Sequence, residues 1–107
     1  MSVIETVSIR GDAKKLEQIA AETPDRMSGI AAHGREAGAI AHRFYATDDG
    51  EIMVIDEWPD ADTFNRFFEA MAPEIGPLMQ DAGVTSEPVI KFWHKLATGD
   101  DIGWDAA

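Results

Sequence analysis

Residues 39–58 read AIAHRFYATDDGEIMVIDEW, two alternating segments on either side of Asp48, Asp49 and Gly50. Alternation of apolar and polar residues around such a corner is the period-2 signature of two strands joined by a tight hairpin, with Gly50 available for a left-handed backbone. Two registers are open. A two-residue turn at Asp49 and Gly50 sets His42 opposite Glu57, whereas a three-residue turn with Gly50 as the bulge residue sets His42 opposite Asp56. The second is preferred. It gathers Ile40, Phe44, Ile52, Val54 and Trp58 on one face and leaves Arg43, Glu51 and Glu57 on the other, the cleaner segregation of polarity.

Working outward toward the N-terminus, Val3 to Ile9 alternates as a first strand ending at Gly11, with Glu5 the odd residue on the face of Val3, Val7 and Ile9. Asp12 is an N-cap for a helix carrying Leu16, Ile19 and Ala20, and Thr23 followed by Pro24 is a second helix start. The first helical region is therefore expected to break near Thr23 and resume to about Arg35. On the other side, Pro59 and Asp60 open a helix whose Phe64, Phe67, Phe68 and Met71 form an apolar stripe. Pro73 is expected to end or kink it, with Glu74 to Ala82 a short continuation closed by Gly83. A last strand is predicted from about Val89 to Leu96, with Ile90, Phe92, His94 and Leu96 on one face. Residues 1–97 then form the domain, and 98–107 an acidic tail that is either loose or a strap docking Ile102 and Trp104 on a neighbour.

The order βαββαβ is that of a ferredoxin-like α+β fold, a four-stranded antiparallel sheet with its helices on one face. Tyr45, Met53, Ile55 and Trp93 fall on the opposite face, an apolar patch of the kind that marks a contact surface. A symmetric homodimer joined through this open sheet face follows.

Composition narrows the partners. Twenty acidic against nine basic residues give a net charge of −11, which repels phosphate backbones and anionic headgroups, so neither nucleic acid nor a membrane surface is expected as a partner. The absence of cysteine removes disulfides, thiolate catalysis and Cys-based metal sites. With no export-type leader and no apolar run near membrane-spanning length, a cytoplasmic location is expected.

Val54-Ile55-Asp56-Glu57-Trp58 followed by Pro59-Asp60-Ala61-Asp62-Thr63-Phe64 resembles the dimeric α+β barrel superfamily, and within it the antibiotic-biosynthesis-monooxygenase-like group. The likeness is a third strand ending in an acidic residue and Trp, then a capped helix with an aromatic in its first turn. It implies a barrel shared by two protomers, with a substrate cleft between sheet and helices. Members of the group include cofactor-independent oxygenases of aromatic polyketides and haem-degrading proteins. The latter use a strand Asn and a helical Trp and His. Here those Asn and Trp positions hold Glu5 and Phe67, no His lies between Asp60 and Gly83, and Asn65, on a helix, is the single Asn.

His42 and Asp56 are the catalytic candidates, because a cross-strand carboxylate can orient an imidazole for proton transfer. Glu5 and His94 are expected to face the same cleft, and Trp58 and Phe67 to line it as a pocket for a planar substrate. His42 and His94 belong to strands at opposite sheet edges, so no shared metal is expected. No phosphate-cradling glycine motif is present, so no nucleotide or other cofactor is expected. The function expected is a cofactor-independent, monooxygenase-like reaction on a small hydrophobic or aromatic molecule. The alternative is a non-catalytic dimeric barrel that binds a small ligand or serves as an assembly module. An open cavity lined by His42 and Asp56 favours the first; a cleft filled by Phe64, Phe67 and Phe68 favours the second.

Overall fold

The hairpin at the centre of the chain closes on a three-residue turn. In the computed structural model, which describes residues 1–103, Ala46 faces Ile52, the Thr47 N–H donates to the Glu51 carbonyl at 2.9 Å, and His42 faces Asp56. Gly50 takes φ +97°, and a Cβ there would lie 3.3 Å from the Arg10 guanidinium. Gly50→Ala is therefore expected to cost about 1 to 3 kcal/mol through a left-handed backbone that an L side chain resists. The measurement is the urea midpoint, which should fall with no change in slope.

The elements are β1 (Val3–Arg10), α1 (Ala13–Glu22), α2 (Pro24–Ala37), β2 (Ala41–Ala46), β3 (Glu51–Trp58), α3 (Ala61–Asp81) and β4 (Val89–Trp93). The sheet order is β2-β3-β1-β4 and every neighbouring pair is antiparallel, which is the ferredoxin-like arrangement. Asp12 and Asp60 accept the backbone N–H groups of Lys15 and Thr63, capping α1 and α3. The Asp60 carboxyl is held below its usual range by the side-chain and backbone hydrogen bonds of Thr63. Between α1 and α2, the Thr23 N–H and hydroxyl both bond the Ile19 carbonyl, and Pro24 begins α2 where its missing N–H is harmless.

Two expectations are corrected. Pro73 does not end its helix: α3 runs unbroken through Pro73 and Pro77 to Asp81. Both prolines are exposed, so the carbonyls they leave without an N–H partner can be hydrated, and the inward stripe carries the helix through. The last strand stops at Trp93 rather than Leu96. Trp93 pairs with Ile4, β1 begins at Val3, and beyond that point there is almost no strand left to continue the ladder.

Helices cover the sheet face that carries Glu5, Val7, Ile9, Ile52, Val54, Asp56 and Trp58. Ile9, Leu16, Ile52, Leu78 and Ala82 form the core at the hairpin end. At the other end Trp58 and Phe64 are buried, with ring centroids 5.7 Å apart, and Phe67 and Phe92 join them at 5.3 Å from Trp58 and 5.7 Å from Phe64. Each fully buried large side chain contributes roughly 1.5–3 kcal/mol. On the open face, Tyr45 and Trp93 remain about half exposed; the Arg43 guanidinium donates to the Tyr45 hydroxyl and the Trp93 indole to Thr6. Among the described residues no helix is long and apolar enough to cross a membrane. In the tail, Ile102 is exposed; Trp104, the other residue of the expected strap, lies outside the described residues.

Candidate active site

Strand pleating places Asp56 and Trp58, two residues apart on β3, on one face, and the antiparallel register brings His42 on β2 alongside Asp56. The result is a bonded cluster. His42 Nδ1 lies 2.7 Å from Asp56 Oδ1, and the Trp58 Nε1–H donates to Asp56 Oδ2 at 3.2 Å. Because Nδ1 faces a carboxylate, it carries the proton of the neutral ring, which leaves the Nε2 lone pair free. The ring also packs edge-on against Phe44 at 5.2 Å, and its side chain keeps 38% of its surface exposed. An imidazole held this way can accept a proton at Nε2 while the adjacent carboxylate stabilises the imidazolium formed.

Glu5 faces Asp56 from the other side, on β1. It is fully buried, and neither carboxyl oxygen meets a donor among the described residues. Burial above all, with the Asp56 charge and a hydrogen bond to Asp56 acting in the same direction, pushes its carboxyl up from 4.5 to about 9. The two observations agree once Glu5 is read as a neutral acid. Two ionised carboxylates offer each other no donor, while a protonated Glu5 supplies one.

His42, Asp56 and Trp58 form one wall of a cavity of about 350 Å³ between the sheet and helices α2 and α3. Phe64, Phe67 and Phe68 line it without filling it, and Met27, Ile30 and Gly34 of α2 close the opposite side. Gly34 is buried against the Phe67 ring, which a Cβ there would meet at 3.4 Å, in van der Waals contact. The α2 contribution was not among the residues expected from sequence; its signal was Met27, Ile30 and Gly34 at helical spacing, diluted by the alanines and glycines around them. No lysine or arginine is among the lining residues, and besides His42, Asp56 and Trp58 the polar side chain there is Ser86.

Two expected site residues are not where the cleft needs them. His94 lies beyond the end of β4, exposed to solvent and away from the cavity, since the ladder that would have turned it inward has already run out. Glu5 shares the inner face but sits beside Asp56 in the sheet, shielded from the cavity rather than lining it. Phe67, by contrast, is at the wall.

No protein-family model matches the sequence, and a search of curated proteins returns no match. The likeness is to solved structures. A Streptomyces coelicolor monooxygenase in complex with nanaomycin D superposes with a TM-score of 0.68 at 16% identity, over 91% of this chain and 89% of that one. The chain has the fold of the antibiotic biosynthesis monooxygenase-like proteins. SnoaB, a cofactor-independent oxygenase from Streptomyces nogalater, shares this monooxygenase-like fold at 20% identity and TM-score 0.60, covering 91% and 97% of the two chains. A conserved protein from Methanosarcina mazei Go1 matches at 14% identity and TM-score 0.66, over 90% and 94%. At such identities the monooxygenase-like fold is the shared property; the chemistry must be argued from the site itself.

Proposed function

We propose that the chain is a cofactor-independent, monooxygenase-like enzyme acting on a small, uncharged, largely apolar or aromatic molecule. One observation carries the reading: the His42–Asp56 pair stands at the wall of an open cavity of about 350 Å³ whose other surfaces are almost wholly apolar. An apolar ring system occupies the cavity that Trp58, Phe64 and Phe67 line, with its acidic C–H or O–H turned toward His42 Nε2. His42 takes that proton, and the electron-rich anion reacts with O₂ to form a C–O bond. The imidazolium returns the proton to the peroxide formed. Loss of water from a hydroperoxide at a CH₂-derived carbon leaves a carbonyl, so CH₂ and O₂ become C=O and H₂O. The low-polarity walls favour the charge-delocalised anion over a hydrated one and keep bulk water from quenching it. That the phenylalanines line the cavity rather than fill it is the reason to prefer this reading to a purely structural module.

The test is oxygen uptake by the purified chain with apolar, acidic-CH aromatics such as reduced polycyclic ketones, with isotopically labelled O₂ to trace the product. One labelled oxygen per product molecule supports the reading. If such aromatics quench the tryptophan fluorescence on binding yet none consumes oxygen, the reading is overturned. The working unit is a homodimer closed through the sheet face of Tyr45, Met53, Ile55 and Trp93, since an apolar face of that kind is otherwise left in water. Light scattering at micromolar concentration is expected to give twice the monomer mass of 11.7 kDa; a stable monomer refutes the dimer.

A further inference from the structure

Glu5 has no part in the proton abstraction described above, although it is the most thoroughly buried acid in the described chain. Its setting is one rank across the sheet: His42 on β2, Asp56 on β3, Glu5 on β1 and Phe92 on β4 face one another in that order. Asp56 is the one titratable group directly opposite it. From α3 the inward residues are the aromatics Phe64, Phe67 and Phe68, while Asp62, Arg66 and Glu69 are exposed. Lys91 and Trp93 on β4 lie together on the open face, as their mutual contact at 5.7 Å requires, and Glu57 alternates to that face with them. No ion pair among the described residues includes Glu5, so the partner within its reach is Asp56, and that bond needs a proton on Glu5. Both Asp56 oxygens already accept one donor each, from His42 and from Trp58.

We propose that Glu5 is a positioning residue of the site: it remains a neutral acid, its O–H donates to Asp56, and this third hydrogen bond fixes the carboxylate that holds His42 with Nε2 free. The rank His42–Asp56–Glu5 then carries a single negative charge at rest and none when His42 holds the ligand's proton. A second ionised carboxylate would remove a donor from Asp56 and push against it, turning it out of line with His42. Glu5 thereby sets an alkaline limit on the integrity of the pair. Its meaning for catalysis rests on the reading of His42 as the base, but its test does not need turnover.

Nitrogen NMR of the His42 ring, followed from neutral to alkaline pH in the full-length chain, reads the tautomer and its bond to Asp56 directly. In the wild type the Nδ1–H signature should hold at neutral pH and be lost in one alkaline step. Glu5→Gln, whose amide N–H₂ replaces the donor and cannot ionise, should keep the signature through the same range. Glu5→Leu should disturb it at every pH. An alkaline step that persists in Glu5→Gln, or an undisturbed ring in Glu5→Leu, overturns the proposal; should Glu5→Leu fail to fold, the Gln comparison decides. If an oxidation is in hand, the alkaline limb of its rate should disappear in Glu5→Gln. Absence of any oxidation would sink the enzymatic reading while leaving the ring measurement valid.

Discussion

Replacing His42 by alanine is expected to lower turnover by about 10²- to 10⁴-fold, the usual contribution of a positioned acid–base group, with little loss of ligand affinity. The asymmetry comes from where His42 sits. Its ring lies on the edge strand β2, and the bulk of the cavity wall is supplied by Trp58, the α3 phenylalanines and the α2 residues, so apolar burial of the ligand survives the truncation. Oxygen uptake and titration of the tryptophan fluorescence, run on the same preparation, separate the two quantities. Asp56→Asn extends the prediction. The asparagine amide is nearly isosteric, but its N–H₂ facing Nδ1 would donate to the ring, move the ring proton to Nε2 and abolish the base while leaving the imidazole in place. Turnover should fall nearly as far as in His42→Ala, and the double variant should fall little further, because the two residues act as one unit. Turnover unchanged in both single variants would remove His42 from the mechanism.

Glu5→Gln is expected to stabilise the fold, and by more as the pH rises. In the unfolded chain this carboxyl ionises near its ordinary 4.5, whereas in the folded chain it holds its proton to about 9. Between those values the folded state binds a proton that the unfolded state has released, so stability falls with increasing pH, by on the order of 1 kcal/mol per pH unit. Below 4.5 the effect is absent, and above 9 it has reached its full size of several kcal/mol. The glutamine variant lacks this titration, while the other acidic residues contribute alike to both proteins. The difference in unfolding free energy between variant and wild type should therefore widen from mildly acidic to alkaline pH and then level off. Guanidinium titrations across that range measure it; a difference that stays constant with pH would mean that Glu5 is ionised in the folded chain.

Some of this site was legible in the chain and some was not. The register that pairs His42 with Asp56 could be preferred from residues 39–58, because the period of a strand is two and that pairing segregates polar from apolar residues better, although Gly50 suits either turn length. Helix starts at Asp12, Thr23 and Asp60 were equally local, each a matter of one capping side chain and the residues just after it. Even the open apolar face could be anticipated from alternation. These are properties of neighbours in sequence, and local sterics and hydrogen bonding suffice to specify them.

What lay beyond the reach of local pattern depends on lateral order and on volume. His94 continues an alternation that reads perfectly well as strand, yet its orientation depends on whether the β1–β4 ladder continues past Trp93, and that ladder ends at the Ile4–Trp93 pair. Glu5 was visibly out of place among apolar residues, but its shielding from the cavity, the lack of any cation beside it among the described residues and its neutrality follow from β1 being flanked by β3 and β4 under the helices. The stripe of Phe64, Phe67 and Phe68 announces a buried helix face without saying whether the space beneath it is full. That depends on how α2 and α3 stand over the sheet, which the pattern within either helix does not specify. Pairing across the chain and the fit of three elements around one space are sums over distant residues, and for that physical reason the cavity and the state of its buried acid emerged only when the whole fold was in place.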